Sequence, residues 1–272
     1  MKNTKVHSFL ELLNKTHKAE WEASPSIQGA SAWLSDLIEF LFPNNRLNRY
    51  STYEGILKKN QIDLENILLS YLDPKDYDIE LAVNAFYEDL DTIYNNLRCD
   101  ALKIFESDPA ATSVNEVVVT YPGFYAIAVY RIANKLSLLG IPILPRVLTE
   151  LAHGKTGIDI HPNAIIGVPF FIDHGTGIVI GSTAVIGNNV SIYQGVTLGA
   201  LQVSKQLSNV KRHPTVEDNV IIYARTTILG GNTIIGRGSI IGGSVFLTRS
   251  VKAYSNVFNT HQLRIDSKEQ VV

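Results

Sequence analysis

The chain has 272 residues, 45% of them apolar and 18% charged, which allows one or two domains with a sizeable core and excludes disorder on a large scale. Its formal net charge is −2 with the basic residues dispersed, so it shows no phosphate-backbone footprint and nucleic acid is a poor partner. The single cysteine, Cys99, excludes an intramolecular disulfide and a Cys-rich zinc site.

From Met1 to Leu13 the charges at Lys2, Lys5 and Glu11, and the lack of a long apolar stretch, speak against a secretory leader. No run approaches the ~20 apolar residues of a membrane span, so a cytoplasmic protein without a membrane partner is expected. Trp33, Leu34, Leu37, Ile38 and Leu41 mark an apolar helical stripe stopped by Pro43. Leu90, Ile93, Tyr94, Leu97, Ala101 and Ile104 mark a longer one, with a lead-in near Asp73-Pro74. The stretch from Asn115 to Tyr121 is β-branched and is expected to be extended. A third helix is expected from about Phe124 to Leu139, ending at Gly140 and Pro142.

Near Gly157 the period changes. Every sixth residue from Ile160 is apolar: Ile166, Ile172, Ile178, Ala184, Val190 and Val196. The count resumes at Val216 with Ile222, Ile228, Ile234, Ile240 and Phe246. A period of six belongs to neither a helix nor a lone strand; it is the hexapeptide repeat of a parallel β-helix. Each hexapeptide supplies one short strand and one corner, and three close a triangular coil of ~18 residues. Gly199 to Lys211 interrupts the count as a polar loop projecting from the coil, where function tends to sit.

Four segments then stand out: GIDIHPNAIIG (157–167), FIDHGTGIVIG (171–181), SIYQGVTLG (191–199) and RHP (212–214). Upstream lie DPAA (108–111) and GFYAIAVYRIANKL (123–136). Together they resemble the serine acetyltransferase family of the hexapeptide-repeat acyltransferases, over about Asp108 to Gly242. The resemblance implies an α+β chain: an α-helical domain over 1–156, a left-handed parallel β-helix over 157–256 and a tail over 257–272. It further implies trimers, often paired into hexamers through the helical domain, with each active site between two neighbouring prisms.

The resemblance implies transfer of acetyl from acetyl-CoA to the hydroxyl of L-serine. A serine hydroxyl is a poor nucleophile at neutral pH and needs a base; His174 takes that role, oriented by Asp159 as in other carboxylate–imidazole pairs. Asp108 and Asp173 match the family's two carboxylates for the substrate ammonium. Arg212 matches the cation for its carboxylate, with His213 beside it. Gly199, Ala200, Ala224 and Arg225 fall where CoA is expected, and no metal is expected. The chain departs from the family in having Gly199-Ala200 for Gly-Gly and Tyr223-Ala224-Arg225 at a usually Gly-rich corner. L-cysteine is implied as a feedback inhibitor. The family often ends in Ile, which engages O-acetylserine sulfhydrylase; here the last residue is Val272. Rival readings are another acceptor (homoserine or a sugar), a passive assembly scaffold, and a zinc carbonic anhydrase-like prism, which would need three His around one metal at a subunit boundary, here His161, His174 and His213.

Overall fold

The computed structural model describes residues 4–20, 23–43, 52–201 and 210–260. Most of the expected projecting loop (202–209) and of the expected tail (261–272) lies outside the described residues. Eight helices come first: α1 (Thr4–Glu20), α2 (Ile27–Leu41), α3 (Tyr53–Leu69), α4 (Ile79–Glu88), α5 (Leu90–Ser107), α6 (Val114–Thr120), α7 (Pro122–Leu138) and α8 (Leu144–Thr156). Gly157 ends α8 in the left-handed conformation, φ 71°, and the chain turns directly into the first coil.

The coils form the left-handed parallel β-helix that the repeat and the resemblance led one to expect. Its first face stacks β1 (Asp159–Ile160), β4 (Val179–Ile180), β7 (Thr197–Gly199), β10 (Thr227–Leu229) and β13 (Phe246–Leu247). The second stacks β2 (Ile165–Ile166), β5 (Val185–Ile186), β8 (Thr215–Val216) and β11 (Ile234–Ile235). The third stacks β3 (Phe170–Asp173), β6 (Val190–Tyr193), β9 (Ile221–Ile222), β12 (Ile240–Ile241) and β14 (Asn256–Val257).

The sixfold count needs two corrections. Ile160 pairs with Ile180, twenty residues on, because the DHGTG corner carries two extra residues; Ile180 then pairs with Leu198 at the regular eighteen. Positions two apart on a strand share a face, so Ile178, Ala184, Val190 and Val196 stay buried despite the slip. After Ile228 one more residue intervenes. Ile235 and Ile241 are buried while Ile234 and Phe246, which the count assigned to the core, are exposed.

Two helical expectations also change. Residues 114–120 form α6 rather than an extended segment. The Ser113 hydroxyl accepts from the Glu116 N–H (3.1 Å), the Glu116 carboxylate accepts from the Thr112 N–H (2.7 Å), and Val117 is buried. This reciprocal N-terminal capping and the core contact override a modest β preference. Asp73-Pro74 opens a turn instead of a helix; Asp78 caps α4 through the Leu81 N–H (3.0 Å), and α5 starts separately after Asp89.

One buried ion pair fastens the helices to the first coil. Arg131 on α7 bonds Asp100 on α5 through Nε (2.5 Å) and Nη2 (2.9 Å), and Asp100 is fully buried. Arg131 Nη2 also donates to the Gly167 carbonyl (3.0 Å), and Asp100 accepts from the Phe170 N–H (2.8 Å). Burial pushes the Asp100 carboxyl up, while Arg131 and the Phe170 N–H pull it back. Beside this pair the Tyr130 hydroxyl donates to the Ala164 carbonyl (2.6 Å) and Asn134 to the Pro162 carbonyl (2.7 Å). Gly123, in the first turn of α7, lies so close to β3 that a Cβ there would come within 2.6 Å of the Ile172 carbonyl oxygen. Asp100→Ala strands the Arg131 charge and is expected to cost about 3–5 kcal/mol of stability, measured by urea unfolding.

Candidate active site

The expected site residues fall on two edges that flank the first face. The edge entering that face carries His174, then Gln194 and Gly195, then Ala224 and Arg225, in successive coils. Backbone bonds stack them: Gly195 N–H to Thr176 O (3.0 Å) and Arg225 N–H to Gln194 O (2.9 Å). His174 (φ 54°) and Arg225 (φ 62°) occupy the left-handed region, which side-chain-bearing residues adopt at a cost and which recurs at functional corners. His174 is exposed, and its Nε2 faces Asp173 at 3.7 Å.

Asp108 joins this edge from the helical domain, just past α5. Its Oδ1 accepts from the Ala110 N–H (2.8 Å) and its Oδ2 from the Tyr121 hydroxyl (2.6 Å). These two donors hold the Asp108 carboxyl below its ordinary range, with a smaller contribution from His174. The same bond pushes the Tyr121 phenol up to about 12. Tyr193 is the Cα partner of Asp173 in the ladder and stacks on Tyr223, ring centroids 4.9 Å apart.

The edge leaving the first face carries His161, Ser182 and Thr183, then Gly199 and Ala200, and the returning segment Lys211 to Pro214. The Thr183 hydroxyl organises the return. It accepts from the N–H groups of Arg212 (2.9 Å) and His213 (3.0 Å) and donates to His213 Nδ1 (2.8 Å), which also accepts from the Thr183 N–H (3.1 Å). With Nδ1 accepting twice, the ring proton is on Nε2. Nε2 lies over Gly181, where a Cβ would come within 2.0 Å of it; no residue but glycine fits beneath the ring. Arg212 donates to the Ser182 hydroxyl (2.8 Å), and Lys211 Nζ donates to the carbonyls of Thr183 (2.7 Å) and His213 (2.5 Å).

The structure thus brings Asp108, Asp173 and His174 together, and Arg212 and His213 together, but sets the two groups on different edges of the same chain. Asp159 does not orient His174 here: its carboxylate is bonded by Arg146 Nη1 (3.0 Å), a guanidinium from α8 that also pairs with Glu150. Sequence reasoning missed Tyr121, Arg146 and Thr183. None sits in a motif whose spacing announces chemistry; each matters through partners more than ten residues away. Within one chain His161 and His213 share one edge and His174 occupies the other, so three imidazoles around one metal would have to come from two copies. Among the described residues the ligand atoms of Glu150, His153 and Asp159 cluster within 4.8 Å, but the Arg146 cation already bonds both carboxylates.

A helical domain followed by a hexapeptide-repeat β-helix is the architecture that this chain shares with solved hexapeptide-repeat serine acetyltransferases. No family model matches the chain. It is 49% identical over 190 residues to a plasmid-encoded serine acetyltransferase of Synechococcus elongatus, covering 68% of this chain and 59% of that one. It superposes on the Entamoeba histolytica serine acetyltransferase 1 in complex with L-cysteine with a TM-score of 0.76, at 36% identity, covering 83% of this chain and 86% of that one. The Neisseria gonorrhoeae serine acetyltransferase in complex with serine gives a TM-score of 0.62 at 29% identity, covering 85% and 82%. The chain belongs to the serine acetyltransferase family. It spans little more than half the length of its cyanobacterial curated relatives, 59%, 62% and 55%.

Burial, followed by the charges of Arg212 and Lys211, lowers the His213 imidazole to about 4. The unfolded chain titrates near 6.5 and takes up this proton first on acidification. His213 therefore makes stability fall as pH drops from about 6.5 towards about 4, and leaves it unaffected above that window. Urea unfolding across this range checks it, with a flatter slope expected for His213→Gln.

Proposed function

We propose that the chain is an acetyl-CoA:L-serine O-acetyltransferase whose active site is completed by a second copy. The observation that carries the reading is the division of complementary groups between the two edges of the first face. Two carboxylates and a base occupy one edge, a guanidinium and a neutral imidazole the other. When first faces of neighbouring prisms turn towards a common axis, the entering edge of one copy meets the leaving edge of the next. The zwitterionic acceptor then spans them, its ammonium against Asp108 and Asp173 and its carboxylate against Arg212. A neutral sugar gives no use for that charge pattern. Family membership, and the serine and L-cysteine named with two of its relatives, support the choice of acceptor.

In the reaction His174 accepts the hydroxyl proton as the serine oxygen attacks the thioester carbonyl. The tetrahedral intermediate collapses by breaking the C–S bond, and the His174 imidazolium returns the proton to the CoA thiolate. His213, with its proton on Nε2, assists at the acceptor beside Arg212. Asp159 serves His174 once its Arg146 contact opens. Gly199 and Ala200 on one edge, and Ala224 and Arg225 on the other, flank the groove for the pantetheine arm, Arg225 offering a cation to a CoA phosphate. No acyl-enzyme is needed, since Cys99 lies on α5, outside the segments that carry the expected site residues. The helical domain over 1–156 supplies Asp108 and the contacts for trimer pairing. L-cysteine, shaped like serine, occupies the same subsites as an inhibitor; an activity curve flat in L-cysteine excludes this. Engagement of O-acetylserine sulfhydrylase through the terminal segment concerns residues outside the described ones. Among the described residues, no helix is long and apolar enough to cross a membrane.

His174→Ala is expected to lower kcat by roughly 10²–10⁴, the range for a lost general base, read as acetyl-CoA consumption with and without L-serine. Subunit mixing tests the shared site. His174→Ala and Arg212→Ala chains, each inactive alone, are expected to recover part of the parental activity when unfolded and refolded together. No recovery would place each site within one chain.

A further inference from the structure

The acceptor reading leaves open how a carboxylate on a connecting turn is held in place. Asp108 follows the last residue of α5 with an extended backbone, φ −102° and ψ 109°, so no helix fixes its side chain. We infer that Tyr121 is a positioning residue of the acceptor site, its phenol holding the Asp108 carboxylate beside Asp173 and His174 so that an acceptor ammonium is received between the two carboxylates.

Three observations carry this. The Tyr121 hydroxyl donates to Asp108 Oδ2 at 2.6 Å, while the other oxygen is held only by the local Ala110 N–H. Tyr121 is itself fixed to the strand that bears Asp173. It closes α6 through its N–H to the Val117 carbonyl (3.1 Å) and immediately precedes the α7 turn in which Gly123 abuts the Ile172 carbonyl, one residue before Asp173. The phenol therefore refers a carboxylate of the helical domain to the frame of the β-helix. Third, Tyr121 feels Asp108, Glu116 and Asp173 together, Asp108 most strongly through the hydrogen bond, which places the phenol among these carboxylates. Two adjacent carboxylates repel, and one of them tends to take up a proton. A phenol and an amide donor on Asp108 oppose that, while each oxygen keeps a lone pair for the incoming ammonium. Beside Asp173 in the ladder lies an aromatic group: Tyr193, edge-on to Phe171 and stacked on Tyr223.

This rests on the serine acetyltransferase reading, and the experiment separates the two. Tyr121→Phe keeps the ring and deletes the hydroxyl. With the full chain, KM for L-serine is expected to rise roughly tenfold, kcat to stay within about twofold, and KM for acetyl-CoA and the thermal midpoint to hold. In an Asp108→Asn background the same substitution is expected to add nothing, because the hydroxyl acts through that carboxylate. An unchanged KM for L-serine in Tyr121→Phe, or fully additive effects in the double variant, overturns the inference while parental turnover of L-serine stands. Absence of parental turnover of L-serine overturns both readings.

Discussion

The buried contact between Asp100 and Arg131 is the constraint on which the placement of the candidate site rests. Removing two charges from water is expensive, and such a pair holds only when its remaining donors and acceptors are met. Here they are met across a boundary: Asp100 from α5 also accepts from Phe170 in the first coil, and Arg131 from α7 also donates to the carbonyl of Gly167. Neither module satisfies the pair alone. Asp108 follows the same helix that carries Asp100, so the contact sets where that carboxylate emerges relative to β3. Gly123 sets the second distance, by letting α7 lie directly on the strand.

The β-helix contributes regularity, and the candidate site residues occupy its irregularities. The first coil is two residues longer than the standard turn, and the excess forms the corner presenting His174. The third runs thirty residues from Leu198 to Ile228, and its excess returns through Arg212 and His213. Both deviations border the first face, leaving its strands in register. A rigid stack of short strands thus keeps a fixed spacing between two edges whose side chains differ in charge and in hydrogen-bonding role.

The β-helix was legible in the sequence because a six-residue period has few physical explanations. The period still placed Ile234 and Phe246 inward, since an added corner residue reverses facing without altering apolar content. α7 was legible from its stripe and its Gly-Pro stop. α6 was not, because its Val-rich composition is β-prone while capping and one buried valine decide the outcome. At the site, the grouping of Asp108 with Asp173 and His174 agrees with the resemblance, and so does that of Arg212 with His213. The Asp159–His174 pairing was not visible as drawn: Arg146, thirteen residues upstream on a helix, competes for the carboxylate, and no local pattern reveals a rival cation. Likewise Tyr121 reads as the end of a β-branched stretch until its phenol is seen on Asp108.

The Thr183 hydroxyl has a consequence for how this chain can vary. One oxygen receives two backbone N–H groups of the returning segment and orients its imidazole, and Lys211 clips the same segment to neighbouring carbonyls. The re-entry point is therefore anchored to the preceding coil, independently of the path that leads to it. The contacts that hold the re-entry point involve none of the residues between Leu201 and Val210, and the entropy of closing a connection grows only slowly with its length. Diversification of that stretch is mechanically insulated from the groups it delivers.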